Sequence, residues 1–79
     1  MKKTKIIGSS SIDEIRYDES KKELEVEFFT TGGYRYSHVS VGEYGQIMDF
    51  YNAGGSIGSM LRKVVKGKEY INLGKELLE

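Results

Sequence analysis

Strict alternation of apolar and charged residues marks the segment ELEVEFF, residues 23–29. Side chains point to opposite faces along a β-strand, so the apolar residues Leu24, Val26 and Phe28 share one face. The opposite face carries Glu23, Glu25 and Glu27. This pattern is typical of an antiparallel strand with one face in the core and the other in solvent. We interpret the three glutamates as that solvent-exposed side and not as a catalytic acid pair.

Two further strands are predicted beside this one. The segment SIDEIRYD, residues 11–18, alternates apolar and charged positions, and a polar turn joins it to ELEVEFF. On the other side, the glycine pair in TTGG favours a hairpin that leads into YRYSHV, residues 34–39. One face of this third strand carries Tyr34, Tyr36 and His38. Three strands joined in this way predict an antiparallel meander.

The hydrophobic period changes after residue 39 and predicts two helices. The sequence SVGE matches a capping box, in which Ser40 and Glu43 each accept a hydrogen bond from the other's amide. A second helix is predicted to begin at Ser56 and to end at Gly67. The first apolar stripe is Tyr44, Ile47, Met48 and Tyr51, and the second is Ile57, Met60, Leu61 and Val64.

Together these elements predict an α+β fold, with a three-stranded antiparallel meander followed by two helices packed on one sheet face. We treat residues 1–79 as a single domain with a core at about 8–70, because a chain of 79 residues holds one hydrophobic core. Residues 71–79 are predicted to be a C-terminal tail, in which Leu77 and Leu78 dock on the domain or on a second subunit. A domain this small gains buried area by association, so we expect a homo-oligomer.

Composition narrows the chemistry. The chain has no cysteine, which excludes disulfides and thiolate zinc sites, and its single histidine, His38, supplies no typical metal site. We therefore expect no metal and no cofactor. Twelve basic and twelve acidic residues give zero net charge, which argues against a protein steered to long polyanions. The charges are uneven, because residues 54–68 contain four bases and no acid.

The glycine-rich segment GGSIGSMLRK is a candidate anion site. Glycines before a helix leave its first amides accessible, and the helix dipole favours negative charge there. Ser56 and Ser59 add hydroxyl groups, and Arg62 and Lys66 lie one turn apart as candidate phosphate contacts. The alternative has equal weight: the glycines end one helix, Ser56 caps the next, and the bases form a solvated face.

Tyr34 and Tyr36 are candidate stacking residues. They lie about 6.8 Å apart along a strand, a spacing at which two phenols can flank a base, and each stacked base contributes roughly 1–3 kcal/mol. Arg35 points to the opposite face unless the strand bulges, although it remains a candidate contact. The alternative, which we favour for at least one of the two tyrosines, is that they cover the edge of the core.

The ordered set of short motifs resembles the KTSC domain, a family named for the C-terminal region of certain lysyl-tRNA synthetases and found also as small bacterial and phage proteins. The matching motifs are Ser9-Ser10-Ser11-Ile12, residues 24–28, Tyr34-Arg35-Tyr36, Ser56-Ile57-Gly58 and residues 66–70. The resemblance implies no established activity, and RNA binding is the usual expectation for the family. It favours a functional role for the Ser-x-Gly motif, which adds Gly58 to the candidate ligand contacts.

Three functions are compatible with these features. The first is a non-enzymatic binding module for a phosphate-bearing ligand, either a nucleotide or RNA. The second is a phage-type oligomeric sponge that sequesters a cyclic dinucleotide or nucleotide immune signal. The third is a structural or protein-interaction domain without a small ligand. We expect no enzyme, because no nucleophile–base pair or metal cluster is evident. The N-terminal MKKTKII is not a signal peptide and no apolar run spans a membrane, so we expect the cytoplasm of a bacterium or phage-infected bacterial cell.

Overall fold

The computed structural model describes residues 2–74. Five strands and two helices follow one another along the chain. Their bounds are β1 Lys2–Lys5, β2 Ile12–Asp18, β3 Glu23–Phe28, β4 Gly32–Tyr36, α1 Val41–Asn52, α2 Ile57–Val65 and β5 Tyr70–Gly74. The strands form one sheet in the order β1-β2-β3-β4-β5, and every neighbouring pair is antiparallel.

The α+β class and the central meander are confirmed, but the predicted number of three strands is wrong. The sheet gains β1 at one edge and β5 at the other. Strand β1 has the sequence KKTK, which shows no apolar alternation, and its backbone pairing with β2 defines it. Strand β5 includes residues 71–74 of the predicted tail and Tyr70 before it. The predicted docking of Leu77 and Leu78 lies outside the described residues.

Register assigns the side chains of the sheet to two faces. Val26 lies opposite Ile15 of β2 and Tyr34 of β4, so these three side chains share a face. That face meets the helices, and Ile15 and Val26 are fully buried there. An irregularity between Ile12 and Glu14 shifts the register of β2 by one residue, which allows Ile12 and Ile15 to point to the same core.

Both predicted helix starts are confirmed. Ser40 Oγ accepts from the amide of Glu43 at 3.1 Å, and a carboxylate oxygen of Glu43 accepts from the amide of Ser40 at 3.0 Å. Ser56 Oγ accepts from the amide of Ser59 at 3.3 Å. The apolar stripes of both helices contribute to one core with the sheet. Its buried members are Ile6, Ile12, Ile15, Tyr17, Leu24, Val26, Val39, Tyr44, Ile47, Ile57 and Leu61.

The segment after β4 departs from the prediction that His38 shares a strand face with the tyrosines. Strand β4 ends at Tyr36, and His38 has a φ of 62°, in the left-handed region. Lys68 Nζ donates to the carbonyl oxygen of His38 at 2.8 Å and pairs with Glu43 at 3.1 Å. The Ser40 amide, together with Lys68, holds the pKa of Glu43 below its usual value. This bend therefore ties the start of α1 to the segment that follows α2.

The open face of the sheet, opposite the helices, carries a network of ion pairs. Arg16 contacts three carboxylates: Glu14 at 2.7 Å, Glu25 at 3.0 Å and Glu27 at 3.2 Å. Arg35 contacts Glu25 at 3.0 Å. We predicted that this side of β3 is exposed to solvent, but the ion pairs largely cover it. The side chains of Glu25 and Glu27 are only 12% and 13% exposed.

Candidate functional site

A groove of about 690 Å³ lies between the β1–β2 connection and the turn that joins α1 to α2. Its lining residues are Ile7, Gly8, Ser9, Ser10, Ser11, Tyr51, Asn52, Gly54, Gly55, Ser56 and Ile57. None of these lining residues carries a formal charge. The groove presents hydroxyl, phenol and amide groups instead, and these can donate hydrogen bonds to a polar ligand.

Serine hydroxyls shape one wall of the groove, which we call the serine loop (residues 8–11). Gly8 has a φ of 87°, which turns the chain toward β2 at little steric cost. Ser9 Oγ accepts from the amides of Ser11 and Ile12 at 3.2 and 3.0 Å. This side chain therefore holds the loop, whereas Ser10 is exposed.

Tyr51 fastens the serine loop to the C-terminal turn of α1. Its hydroxyl accepts from the amide of Ile7 at 2.8 Å and donates to the carbonyl oxygen of Ile7 at 3.1 Å. The two bonds use both hydrogen-bonding groups of one backbone residue. One phenol therefore links the residue before the serine loop to the end of α1.

The α1–α2 turn forms the second wall and depends on two glycines. Gly54 has a φ of 95°, a conformation that favours glycine. At Gly55, an added Cβ would lie 2.4–2.6 Å from three ring carbons of Phe50, so the ring lies directly against the backbone. The ring of Phe50 can pack against this turn because Gly55 has no side chain.

The first turn of α2 opens at this groove. The Ser56 hydroxyl satisfies the amide of Ser59, while the first amides of an α-helix, here those of Ile57 and Gly58, have no partner within the helix. An added Cβ at Gly58 would lie 3.7 Å from Ser11 Oγ, so the serine loop comes close to the helix start. The groove therefore combines serine hydroxyls with the positive end of a helix dipole.

The other residues predicted on α2 lie outside the groove lining. Ser59, Arg62 and Lys63 are exposed on one side of α2, away from the buried Ile57 and Leu61, and Lys66 is exposed directly after the helix. Ser56 is the one predicted ligand contact that lines the groove. The basic residues are placed to meet only a ligand that extends beyond the groove along the helix.

The predicted tyrosine pair forms a separate aromatic cluster. Tyr34 and Tyr36 stack with ring centroids 6.4 Å apart and an interplanar angle of 18°. Tyr70 of β5 contacts both rings at 5.4 and 5.8 Å, and Phe28 meets Tyr34 edge to face at 5.6 Å. Burial, and secondarily the neighbouring phenols, raise the pKa of Tyr36.

The predicted ligand contacts therefore divide among separate surfaces. Arg35 lies on the open face, where it pairs with Glu25, and it shares no surface with Tyr34 and Tyr36. Sequence reasoning missed the contributions of the serine loop, Tyr51 and Tyr70. The run of three serines was the available signal for the loop, whereas the partners of Tyr51 and Tyr70 are distant in sequence and gave none.

The fold and the groove define a small α+β domain in which a five-stranded antiparallel sheet packs against two helices and a serine loop faces the start of the second helix. A family model for the KTSC domain matches residues 8–70. Because this match spans more than half of the 79 residues, the chain belongs to the KTSC domain family, as its motifs indicated.

A solved structure supports the same assignment. The crystal structure of a KTSC domain protein from Yersinia pestis matches with a TM-score of 0.69 and 26% sequence identity, over 91% of this chain and 99% of that chain. No curated protein matches the sequence. Among residues 2–74, no helix has the length and apolar character needed to cross a membrane.

Proposed function

We propose that the chain is a non-enzymatic binding module for a phosphate-bearing ligand, held in the groove between the serine loop and the start of α2. The observation that carries this proposal is that the Ser56 cap, the first residue of α2 and the serine loop line one cavity. Phosphate groups bind at helix N-termini because the amides point at the ligand and the dipole favours negative charge.

The size and charge of the groove favour a compact ligand. Small-molecule sites typically enclose about 300–1,000 Å³, and the groove of about 690 Å³ lies within this range. Affinity for long nucleic acids depends on neutralising many phosphates with basic side chains. The lining residues carry no such side chain and the chain has zero net charge, so a nucleotide fits better than an extended RNA.

Arg62 and Lys66 provide the predicted extension of this site. Arg62 is exposed on α2 and Lys66 is exposed directly after its last residue, and neither lines the groove. A ligand with a second phosphate that reaches along the helix would gain a charge-assisted contact from Arg62. Arg62→Ala should therefore weaken binding of such a ligand and leave binding of inorganic phosphate unchanged.

A charge placed on the serine loop tests the proposal directly. Ser10 is exposed and lines the groove, so Ser10→Asp adds a carboxylate to the site with little expected effect on folding. We expect binding of mononucleotides, measured by calorimetry, to weaken at least about tenfold, which corresponds to 1.4 kcal/mol. Thr30→Asp is the matched control, because Thr30 is exposed in the β3–β4 turn and does not line the groove.

The same titrations separate the alternatives. A cyclic dinucleotide that binds with one molecule per pair of chains supports the sequestration alternative, and steep weakening of single-stranded RNA binding with salt supports an RNA module. If inorganic phosphate, mononucleotides, cyclic dinucleotides and RNA all leave the melting temperature unchanged at saturating concentration, the proposal is refuted in favour of a protein-interaction domain.

A further inference from the structure

The two edges of the sheet differ in a way that concerns assembly. Strand β1 carries lysines at three of its four positions, and lysine on an edge strand discourages pairing with another chain. Strand β5, at the other edge, has the sequence YINLG and carries no charged residue. The β5 edge therefore lacks the charge that protects the β1 edge.

The backbone of β5 has hydrogen-bonding groups that point away from the sheet. The amide of Ser37 donates to the carbonyl oxygen of Glu69 at 3.0 Å, and the register places Arg35 opposite Ile71. Because hydrogen-bonded pairs alternate in an antiparallel ladder, the groups of Glu69 and Ile71 face β4. Those of Tyr70 and Asn72 face outward, and no described strand lies beyond them.

The exposed side chains of β5 lie on both faces of the sheet. Tyr70 is 59% exposed on the helix-side face, opposite Tyr36, and Ile71 is 56% exposed on the open face, opposite Arg35. A ligand stacked on one face would cover one of these residues and leave the other in solvent. A strand added in the plane of the sheet would cover both.

We propose that β5 pairs antiparallel with β5 of a second copy, about a two-fold axis at Ile71. This register places Tyr70 opposite the partner's Asn72. The outward amide and carbonyl groups of Tyr70 and Asn72 in one chain then pair with those of the other chain, which gives four hydrogen bonds across the interface. Ile71 then faces the partner's Ile71 as a non-hydrogen-bonded pair, the type in which side chains approach most closely.

An internal hydrogen bond selects this register. The amide of Gly74 donates to Asn72 Oδ1 of its own strand at 2.8 Å, so it is already used within the chain. An axis at Asn72 would place Tyr70 opposite the partner's Gly74, but a register shift after Asn72 sets Gly74 opposite Gly33 of β4. An axis at Ile71 uses only Tyr70 and Asn72, which lie before that shift. The proposed register also places Glu69 opposite Leu73, so no like charges meet across the axis.

Molar mass in solution tests this interface, which is independent of any ligand. We expect sedimentation equilibrium of the full chain to give twice its mass of 9.0 kDa, because a two-fold interface closes at two copies. Ile71→Lys and Ile71→Glu each place like charges across the axis and should each give monomers. An equimolar mixture of the two variants should restore the dimer. Lys3→Glu on the β1 edge is the control and should stay dimeric.

A cross-link tests the register. The chain contains no cysteine, so Ile71→Cys creates a single thiol that faces its symmetry mate at a distance compatible with a disulfide. Mild oxidation should convert this variant to a covalent dimer, whereas Ser10→Cys, exposed in the serine loop, should remain largely unlinked. The proposal is overturned if the wild-type chain is monomeric at the concentration of an NMR sample, or if it is dimeric and the two thiols cross-link at equal rates.

Discussion

Replacing Arg16 with methionine removes the guanidinium at the centre of the ion-pair network on the open face. Its three carboxylate partners, Glu14, Glu25 and Glu27, belong to two adjacent strands, so the guanidinium holds β2 and β3 together. Methionine keeps an unbranched chain of similar length and removes the charge. The substitution therefore isolates the electrostatic contribution from the packing of the aliphatic stem.

The structure sets the expected magnitude. Exposed ion pairs contribute about 0.2–1 kcal/mol each, and hydrogen bonds to charged groups contribute about 1.5–3 kcal/mol when they are well shielded. Arg16 lies between these two cases, because 22% of its side chain is exposed and the side chains of its carboxylate partners are 12–19% exposed. Its contacts are not additive, and we expect Arg16→Met to lower the free energy of unfolding by about 2 kcal/mol. In a domain of this size that loss lowers Tm by about 8–16 °C.

The pH dependence gives the charge contribution a distinct signature. Burial alone would raise the pKa of Glu25, but hydrogen bonds from Arg16 and Arg35 outweigh it and the pKa is lowered. The stability linked to this carboxylate is therefore present above the pKa of a glutamate in the unfolded chain, about 4.3, and is lost as pH falls through the lower pKa of the folded state. The stability difference between wild type and Arg16→Met should be largest near neutral pH and should shrink under acid conditions.

Urea unfolding at a series of pH values, followed by circular dichroism, measures this difference. Arg35→Met is the matched control, because Arg35 is 35% exposed and makes one contact at 3.0 Å and one at 3.9 Å; its loss should cost about 0.5–1 kcal/mol. A loss for Arg16→Met that is equal at neutral and acid pH would refute the electrostatic explanation and assign the effect to packing of the side-chain stem.

Two further variants test the walls of the groove. Gly55→Ala forces the Phe50 ring off the α1–α2 turn and should destabilise the fold by about 1–2 kcal/mol in urea unfolding; the same change in a Phe50→Ala background should be nearly neutral, and an equal cost there would contradict the contact. Tyr51→Phe removes both hydrogen bonds to Ile7 and should cost about 1 kcal/mol; faster hydrogen exchange at the Ile7 amide is the expected NMR result, and an unchanged rate would show that Tyr51 does not hold the serine loop.

The prediction of the elements succeeded where the signal was local. The alternation in β3, the capping box at Ser40 and the cap at Ser56 each depend on residues within a few positions of one another. Such patterns reflect which face of an element is buried and which amides need a partner, and both properties can be derived from neighbouring residues. The α+β class and the helix starts followed from them.

The edge strands and the candidate site depended on distant contacts. Strand β1 exists because its backbone meets β2, and its lysines carry no alternation that could reveal a strand. Ser10 of the β1–β2 connection and Ser56 at the start of α2 line the same groove, and an ion pair joins Arg16 of β2 to Glu27 of β3. No local hydrophobic period in the sequence indicates that these residues come together.

By itself, the sequence determined the class of fold, the central meander, the two helices with their caps and the family of the domain, because burial period and capping chemistry are short-range properties of the chain. The tertiary structure decided that the sheet has five strands, that Arg35 lies apart from Tyr34 and Tyr36, and that the serines line a groove at the start of α2. These outcomes follow from strand register and from the packing of the helices on the sheet, which bring together residues whose separation in sequence is too large for any local preference to specify.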